Sequence, residues 1–125
     1  MANIDAFPND PNLSDINTLV WKQLGEDIDG EAILDYLGNS VSLNADGTIV
    51  AIGAYENDEN GTDAGHVRVY YNNNNVWTQI GGDIDGEASG DKSGYSVSLS
   101  ATGDIVAIGA RFNDDNGTSS GHVIV

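Results

Sequence analysis

Short alternating stretches separated by polar turns make up most of the chain. In NSVSLN (39–44), Val41 and Leu43 fall on one side and Ser40 and Ser42 on the other, the period of a half-buried strand. TIVAIGAY (48–55) is continuously apolar and rich in small residues. It predicts a strand covered on both faces, with Gly53 and Ala54 allowing close approach of a neighbour. GHVRVYY (65–71) alternates again, Val67 and Val69 opposite Arg68 and Tyr70. VWTQIGG (76–82) sets Val76, Thr78 and Ile80 opposite Trp77 and Gln79. NADGT (44–48) and SATGD (100–104) read as short hairpin connections, with glycine available for positive φ. NDENGTDAG (57–65) and NDDNGTSSG (113–121) read as longer polar loops. NNNN (72–75) is a further turn, because asparagine tolerates the left-handed region. No segment has helical apolar spacing of useful length, so the class is all-β.

The pattern occurs twice. Residues 21–69 match residues 77–125 without a gap at a shift of 56. Trp21 falls on Trp77, Gln23 on Gln79 and Gly25 on Gly81. DIDGEA (27–32) returns letter for letter at 83–88, SVSL (40–43) at 96–99, IVAIGA (49–54) at 105–110 and GHV (65–67) at 121–123. About two thirds of the aligned positions are identical, the mark of an internal structural repeat. DIDGEA recurs because the whole unit recurs, so its duplication alone is no argument for chemistry.

Four short antiparallel strands per unit predict a β-propeller blade, a twisted sheet that buries its faces against its neighbours. With the strands of a blade named A to D from the axis outward, the chain reads D-A-B-C-D-A-B-C. It begins with an orphan D strand at 19–24 and ends within a C strand. The expected division is an irregular lead-in at 1–18, a first repeat at 19–75 and a second at 76–125. Two blades leave two apolar faces without cover, whereas about three or more repeats are usually needed for stability. The expectation is therefore a longer propeller, head-to-tail assembly in which the orphan strand of one chain completes the last blade of the next, or a different β-fold such as a sandwich or a solenoid. A closed ring of three chains, with six blades, is the expected form.

Charge narrows the partners. The 125 residues carry 20 Asp and Glu against 4 Lys and Arg, a formal net charge of −16. Lys22, Arg68, Lys92 and Arg111 form no cluster in the sequence, which disfavours nucleic acid and anionic membrane surfaces. Acid excess suits solubility and hard cations. The absence of cysteine removes disulfide and thiolate chemistry. No stretch approaches the ~20 apolar residues of a membrane span, and MANIDAFPNDPNLSD is not a secretory signal as written.

The residues Gly94-Tyr95-Ser96-Val97-Ser98-Leu99, then Val106-Ala107-Ile108-Gly109-Ala110 and Gly121-His122-Val123, resemble the FG-GAP repeat of integrin-α-type β-propellers. So do Gly38-Asn39-Ser40-Val41 and Gly53-Ala54 in the first copy. The resemblance spans residues 21–125 and is closest to variants of large bacterial and marine surface proteins. It implies a propeller and an extracellular or cell-surface location. The Phe of FG and the Pro of GAP are missing in both copies. The calcium loop that the family carries between strands A and B is replaced by NADGT and SATGD, too short to cage an ion.

An acidic loop stands instead between strands D and A. Asp27, Asp29, Glu31 and Asp35 occupy relative positions 1, 3, 5 and 9, and Asp83, Asp85, Glu87 and Asp91 repeat the spacing. Alternate carboxylates in a tight loop can turn oxygens inward for Ca²⁺, which takes 6–8 of them. Such carboxylates more often cap turns by accepting backbone N–H bonds. Asn57, Asp58 and Asn60, with Asn113, Asp114 and Asn116, offer a second oxygen-rich set or a pair of Asx-turns. His66 and His122 recur with the repeat and read as structural. Trp21 and Trp77 read as packing between blades or as a surface for stacking on a sugar. Two functions compete: a non-catalytic binding or adhesion module for protein or glycan, and a purely structural propeller or fragment of a larger surface protein. No nucleophile is paired with a base, so an enzyme is not expected.

Overall fold

The computed structural model describes residues 20–125. The expected lead-in at 1–18 lies outside the described residues. Strand β1 (Ser40–Leu43), β2 (Ile49–Ala54), β3 (His66–Asn73) and β4 (Val76–Gln79) form a sheet in that order, every neighbour antiparallel. Strand β5 (Ile84–Asp85) pairs with β3 beyond the end of β4. Strands β6 (Ser96–Leu99), β7 (Val106–Ala110) and β8 (His122–Ile124) form a second antiparallel sheet. These are the A-B-C-D and A-B-C orders expected from the repeat, and no helix occurs among the described residues.

Local chemistry fixes the turns. Asn74 and Asn75 both take positive φ, 52° and 68°, which fits the two-residue turn between β3 and β4 to the twist of the strands. In the β1–β2 hairpin the Asn44 side chain accepts a hydrogen bond from Ile49 N at 2.9 Å. Asp46 accepts bonds from Thr48 N and Oγ1.

The two sheets pack face to face in one direction only. Ser40, Ser42, Ala51, Gly53, Val67 and Val69 share the face of the first sheet that meets the second. Val97, Leu99, Val106 and Ile108 of the second sheet pack against Ala51 and Val67, and Ile84 joins them. Ala51, Val67 and Ile108 are fully buried there, worth about 1.5–3 kcal/mol for each of the two larger side chains. Gly53 lies against Gly94, where a Cβ would collide with the Gly94 carbonyl oxygen, as the small-residue run IVAIGA predicts. Ser40 Oγ donates to that same oxygen at 2.6 Å, and Ser42 Oγ accepts from Leu99 N at 2.9 Å.

Two expectations change. The apolar pair Val41 and Leu43 of β1 is exposed while Ser40 and Ser42 are half-buried. In β6 the same sequence does the reverse. Burial of these strands is set by which side a neighbouring sheet covers, not by polarity alone. Residues 20–24, expected within an orphan strand, carry no strand, and Trp21 is 86 % exposed. A strand needs a second backbone to pair with; here the Leu24 carbonyl accepts from the Trp77 side chain at 2.8 Å instead, and no ladder forms.

Candidate functional site

The DIDGEA segments are pinned by their apolar residues. Ile28 and Leu37 pack on Val50, Ile52 and Tyr70, the face of the first sheet turned away from the second. Ile84 sits in the junction between the sheets. The acids between these anchors do not converge loop by loop. Asp27 accepts from Gln23 Nε2 at 2.7 Å, and Asp29 is exposed. Asp35 is buried and accepts from Asn57 Nδ2 at 2.9 Å, and Asp91 repeats the bond with Asn113 at 2.9 Å. Asn57 and Asn113 also form the Asx-turns read from sequence, accepting from Glu59 N and Asp115 N at 3.0 Å each. Asp58 and Asp114 accept from Asp63 N and Ser119 N, and Asn60 Nδ2 donates to Gly86 O. Asp35 and Asp91 thus staple each D–A segment to the loop that follows strand B.

Carboxylates from three separate segments meet around His66 instead. Glu31 comes from the first DIDGEA, Glu59 from the NDENGT loop and Asp83 from the second DIDGEA. A ligand atom of each lies within 4.8 Å of the others and of the imidazole. His66 is 1 % exposed at the start of β3, paired across the ladder with Asp85. Its Nδ1 faces Asp83 Oδ2 at 3.7 Å, Glu59 Oε2 at 3.8 Å and Asp85 Oδ1 at 3.9 Å, and its Nε2 faces Glu31 Oε1 at 3.9 Å. All four exceed hydrogen-bond length, and Nδ1 has no hydrogen-bond partner. An open cleft of about 410 Å³ borders the cluster, lined by Glu31, Asp35, Asn57, Asp58 and Glu59 among others.

Arg68, two residues along β3, orders the acids. Its Nη2 donates to Glu31 Oε2 at 2.6 Å, and Nε and Nη2 form a fork on Asp83 at 2.8 and 3.1 Å. The guanidinium holds the Asp83 carboxyl well below the usual range, helped by a bond from Gln79, and Asp83 in turn raises Arg68. Glu59 is raised, first because its protonated form can bond Asp83 and then by repulsion from Asp83 and Glu31. Burial pushes the His66 imidazole down, against the pull of the neighbouring carboxylates.

A reduced copy stands 56 residues on. Glu87, Asp115 and His122 gather in the same way, with His122 Nε2 at 3.1 Å from Glu87 Oε1. Ile124 takes the place of Arg68, so no guanidinium divides the charge there. Of the eight acids proposed from spacing, the structure brings Glu31, Asp83 and Asp85 around His66 and Glu87 to His122. Asp27, Asp29, Asp35 and Asp91 lie outside both groups. The histidines, Glu59 and Asp115 were not singled out as ligands. The signal available was that His66 with His122, Glu31 with Glu87 and Glu59 with Asp115 all keep their chemistry at the 56-residue shift.

No curated protein matches the chain significantly. The FG-GAP repeat matches residues 28–70 and again 84–125, each match starting at the Ile of DIDGEA and running into or through strand C. With two matches 56 residues apart, on two antiparallel sheets of the same strand order, the chain belongs to the FG-GAP repeat family.

Proposed function

We propose that this chain is a non-catalytic β-propeller module that joins further blades head to tail and serves in binding or adhesion to protein or glycan outside the cell. FG-GAP repeats build modules that often act in binding and are generally not enzymes, which supports the coarse reading. The observation that carries the assembly is the match between the two faces that meet no second sheet. Val123 is 66 % exposed where its counterpart Val67 is fully buried, and Val41 is 61 % exposed where Val97 is half-buried. Ser96, Ser98, Ala107 and Gly109 form the free face equivalent to the one that receives a blade. Val41 and Leu43 belong to the face equivalent to the one that docks. A second copy therefore fits by the contacts already made inside one chain. At the same 56-residue shift, the pairing of Ile84 and Asp85 with Val67 and His66 would place Ile28 and Asp29 of the incoming copy against Val123 and His122 at the outer edge of β8.

Repeats of this family commonly hold Ca²⁺, but the hairpins between strands A and B do not fit it. Asp46 and Asp104 are engaged by Thr48 and Thr102, and two five-residue turns cannot surround an ion with 6–8 oxygens.

Light scattering after size exclusion tests the assembly. A closed trimer of 13.1 kDa chains has a mass of about 39 kDa. A mass of 13.1 kDa at every concentration overturns it. Glycan and protein arrays probed with the assembled species test the binding role, and an absence of hits on both favours the structural reading.

A further inference from the structure

We propose that Glu31, Glu59, His66 and Asp83 form a binding site for a divalent transition-metal ion of the Zn²⁺ class, which accepts imidazole nitrogen together with carboxylate oxygen. The nitrogen separates this site from a calcium site. Ca²⁺ takes oxygen donors, whereas Zn²⁺ binds neutral imidazole readily alongside carboxylates.

Three observations converge. First, the His66 Nδ1 lone pair or proton is buried without a partner, an arrangement native proteins seldom leave unsatisfied. It is aimed into the carboxylates. Second, the separations are wrong for hydrogen bonds and right for shared ligation. Donors at about 2.0–2.1 Å from a tetrahedral ion stand roughly 3.4 Å apart; Asp83 Oδ2 and Glu59 Oε2 stand 3.7 and 3.8 Å from Nδ1, and a Glu31 oxygen lies within 4.8 Å of the other ligand atoms. A small inward movement brings them to an ion, and Glu59 is on a loop with its side chain 54 % exposed. Third, charge is left over. Glu31, Glu59, Asp83 and Asp85 surround one imidazole, and Arg68 offsets only one of them.

Arg68 is the positioning residue. By occupying Glu31 Oε2 it leaves Oε1 free beside the imidazole, 3.9 Å from Nε2, and its fork fixes Asp83, which faces Nδ1. Such outer contacts orient ligands before the ion arrives. The Glu87, Asp115 and His122 group supplies three donors, is more exposed and lacks the guanidinium, so it takes the same ion more weakly. The first site lies wholly within one chain and stands whether or not chains assemble.

The test is calorimetric titration of the tag-free full chain with Zn²⁺, repeated with Ca²⁺ and followed by Co²⁺ absorption as a report on nitrogen ligation. The expected result is one tight Zn²⁺ site and one weaker. His66→Gln and Glu59→Gln each weaken the tight site at least tenfold, and His122→Gln alters only the weak one. Should His66→Gln fail to fold by circular dichroism, Glu59→Gln alone decides, because that side chain reaches solvent. No Zn²⁺ binding up to 1 mM, unchanged tight-site affinity in Glu59→Gln, or displacement of Zn²⁺ by equimolar Ca²⁺ overturns the site.

Discussion

Gly53 and Gly109 occupy the same place in the two repeats, yet alanine should act very differently at each. Neither has a positive φ, so backbone strain does not separate them. A Cβ at Gly53 meets the Gly94 carbonyl oxygen and the Ser40 hydroxyl, and the Gly94 carbonyl carbon lies at 3.0 Å. The obstacle is backbone of the facing sheet, anchored by Gly94 N bonding Gly109 O, so the sheets must separate. A Cβ at Gly109 collides only with the Ser96 hydroxyl, on an exposed side chain that can turn away, and lies at ordinary contact distance from the Ser96 backbone oxygen. Overpacking of this kind costs about 1–3 kcal/mol, and alanine returns roughly 0.5 kcal/mol by narrowing the unfolded ensemble. Gly53→Ala should therefore lose about 2 kcal/mol, and Gly109→Ala should stay within about 0.5 kcal/mol of the parent. Urea unfolding followed by tryptophan fluorescence, at dilution where light scattering reports single chains, measures both. Equal losses, or an unaffected Gly53→Ala, would refute the packing of one blade on the other.

Gly109→Ala should nevertheless lower the mass of any assembly, because an incoming blade would place its Gly38 against Gly109 as Gly94 lies against Gly53. Light scattering at high concentration reads this. Asn57→Ala should destabilise the chain by about 3 kcal/mol, since it strands the buried Asp35 carboxylate and removes the Asx-turn, and Asn57→Asp should be no better. Asp83 is held below its ordinary range and His66 is pushed below its own, so in both cases the unfolded chain takes up the proton first. In chelator, stability should fall as pH drops through the ordinary imidazole range and again below about pH 4. His66→Gln should flatten the upper limb and Asp83→Asn the lower, as followed by melting temperature against pH. Acrylamide should quench Trp21 far more than Trp77, whose Nε1 donates to Leu24 O at 2.8 Å. Trp21→Phe should remove most of the quenchable emission.

The strands were legible because each one alternates or runs apolar between turn residues, and the paired copies checked one another. Strand β5 was not, since two residues of an acidic hexapeptide carry no period. Residues 19–24 read as a strand because they copy VWTQ, but a strand is a relation between two segments, and only the second copy has β3 beside it. The acids of DIDGEA were read as a local cage because spacing is all that a linear chain displays. Their real neighbours, Asn57 for Asp35 and His66 for Glu31 and Asp83, are set by the return of the chain across the sheet. The 22-residue interval that joins Asp35 to Asn57 and Asp91 to Asn113 was present in both copies, and it was the trace of that return.

Two uncovered sheet faces could in principle pair like with like, Val41 and Leu43 against themselves in a two-fold dimer. The contacts between the sheets argue otherwise. Ser40 Oγ reaches across to the Gly94 carbonyl, and Ser42 Oγ receives Leu99 N, so hydroxyls of one face meet backbone groups of the other. Two serine faces together would leave those hydroxyls facing hydroxyls and would hold Gly53 apart from any Gly94 equivalent. Two docking faces together would leave the Gly38 and Leu43 backbone without a serine. The proposed head-to-tail arrangement would satisfy both sets of polar groups while closing the glycine contact. A repeated head-to-tail contact ends either in a ring or in an open filament, depending on whether the rotation per blade closes. The same light-scattering measurement separates them, since a ring saturates at one mass and a filament keeps growing with concentration.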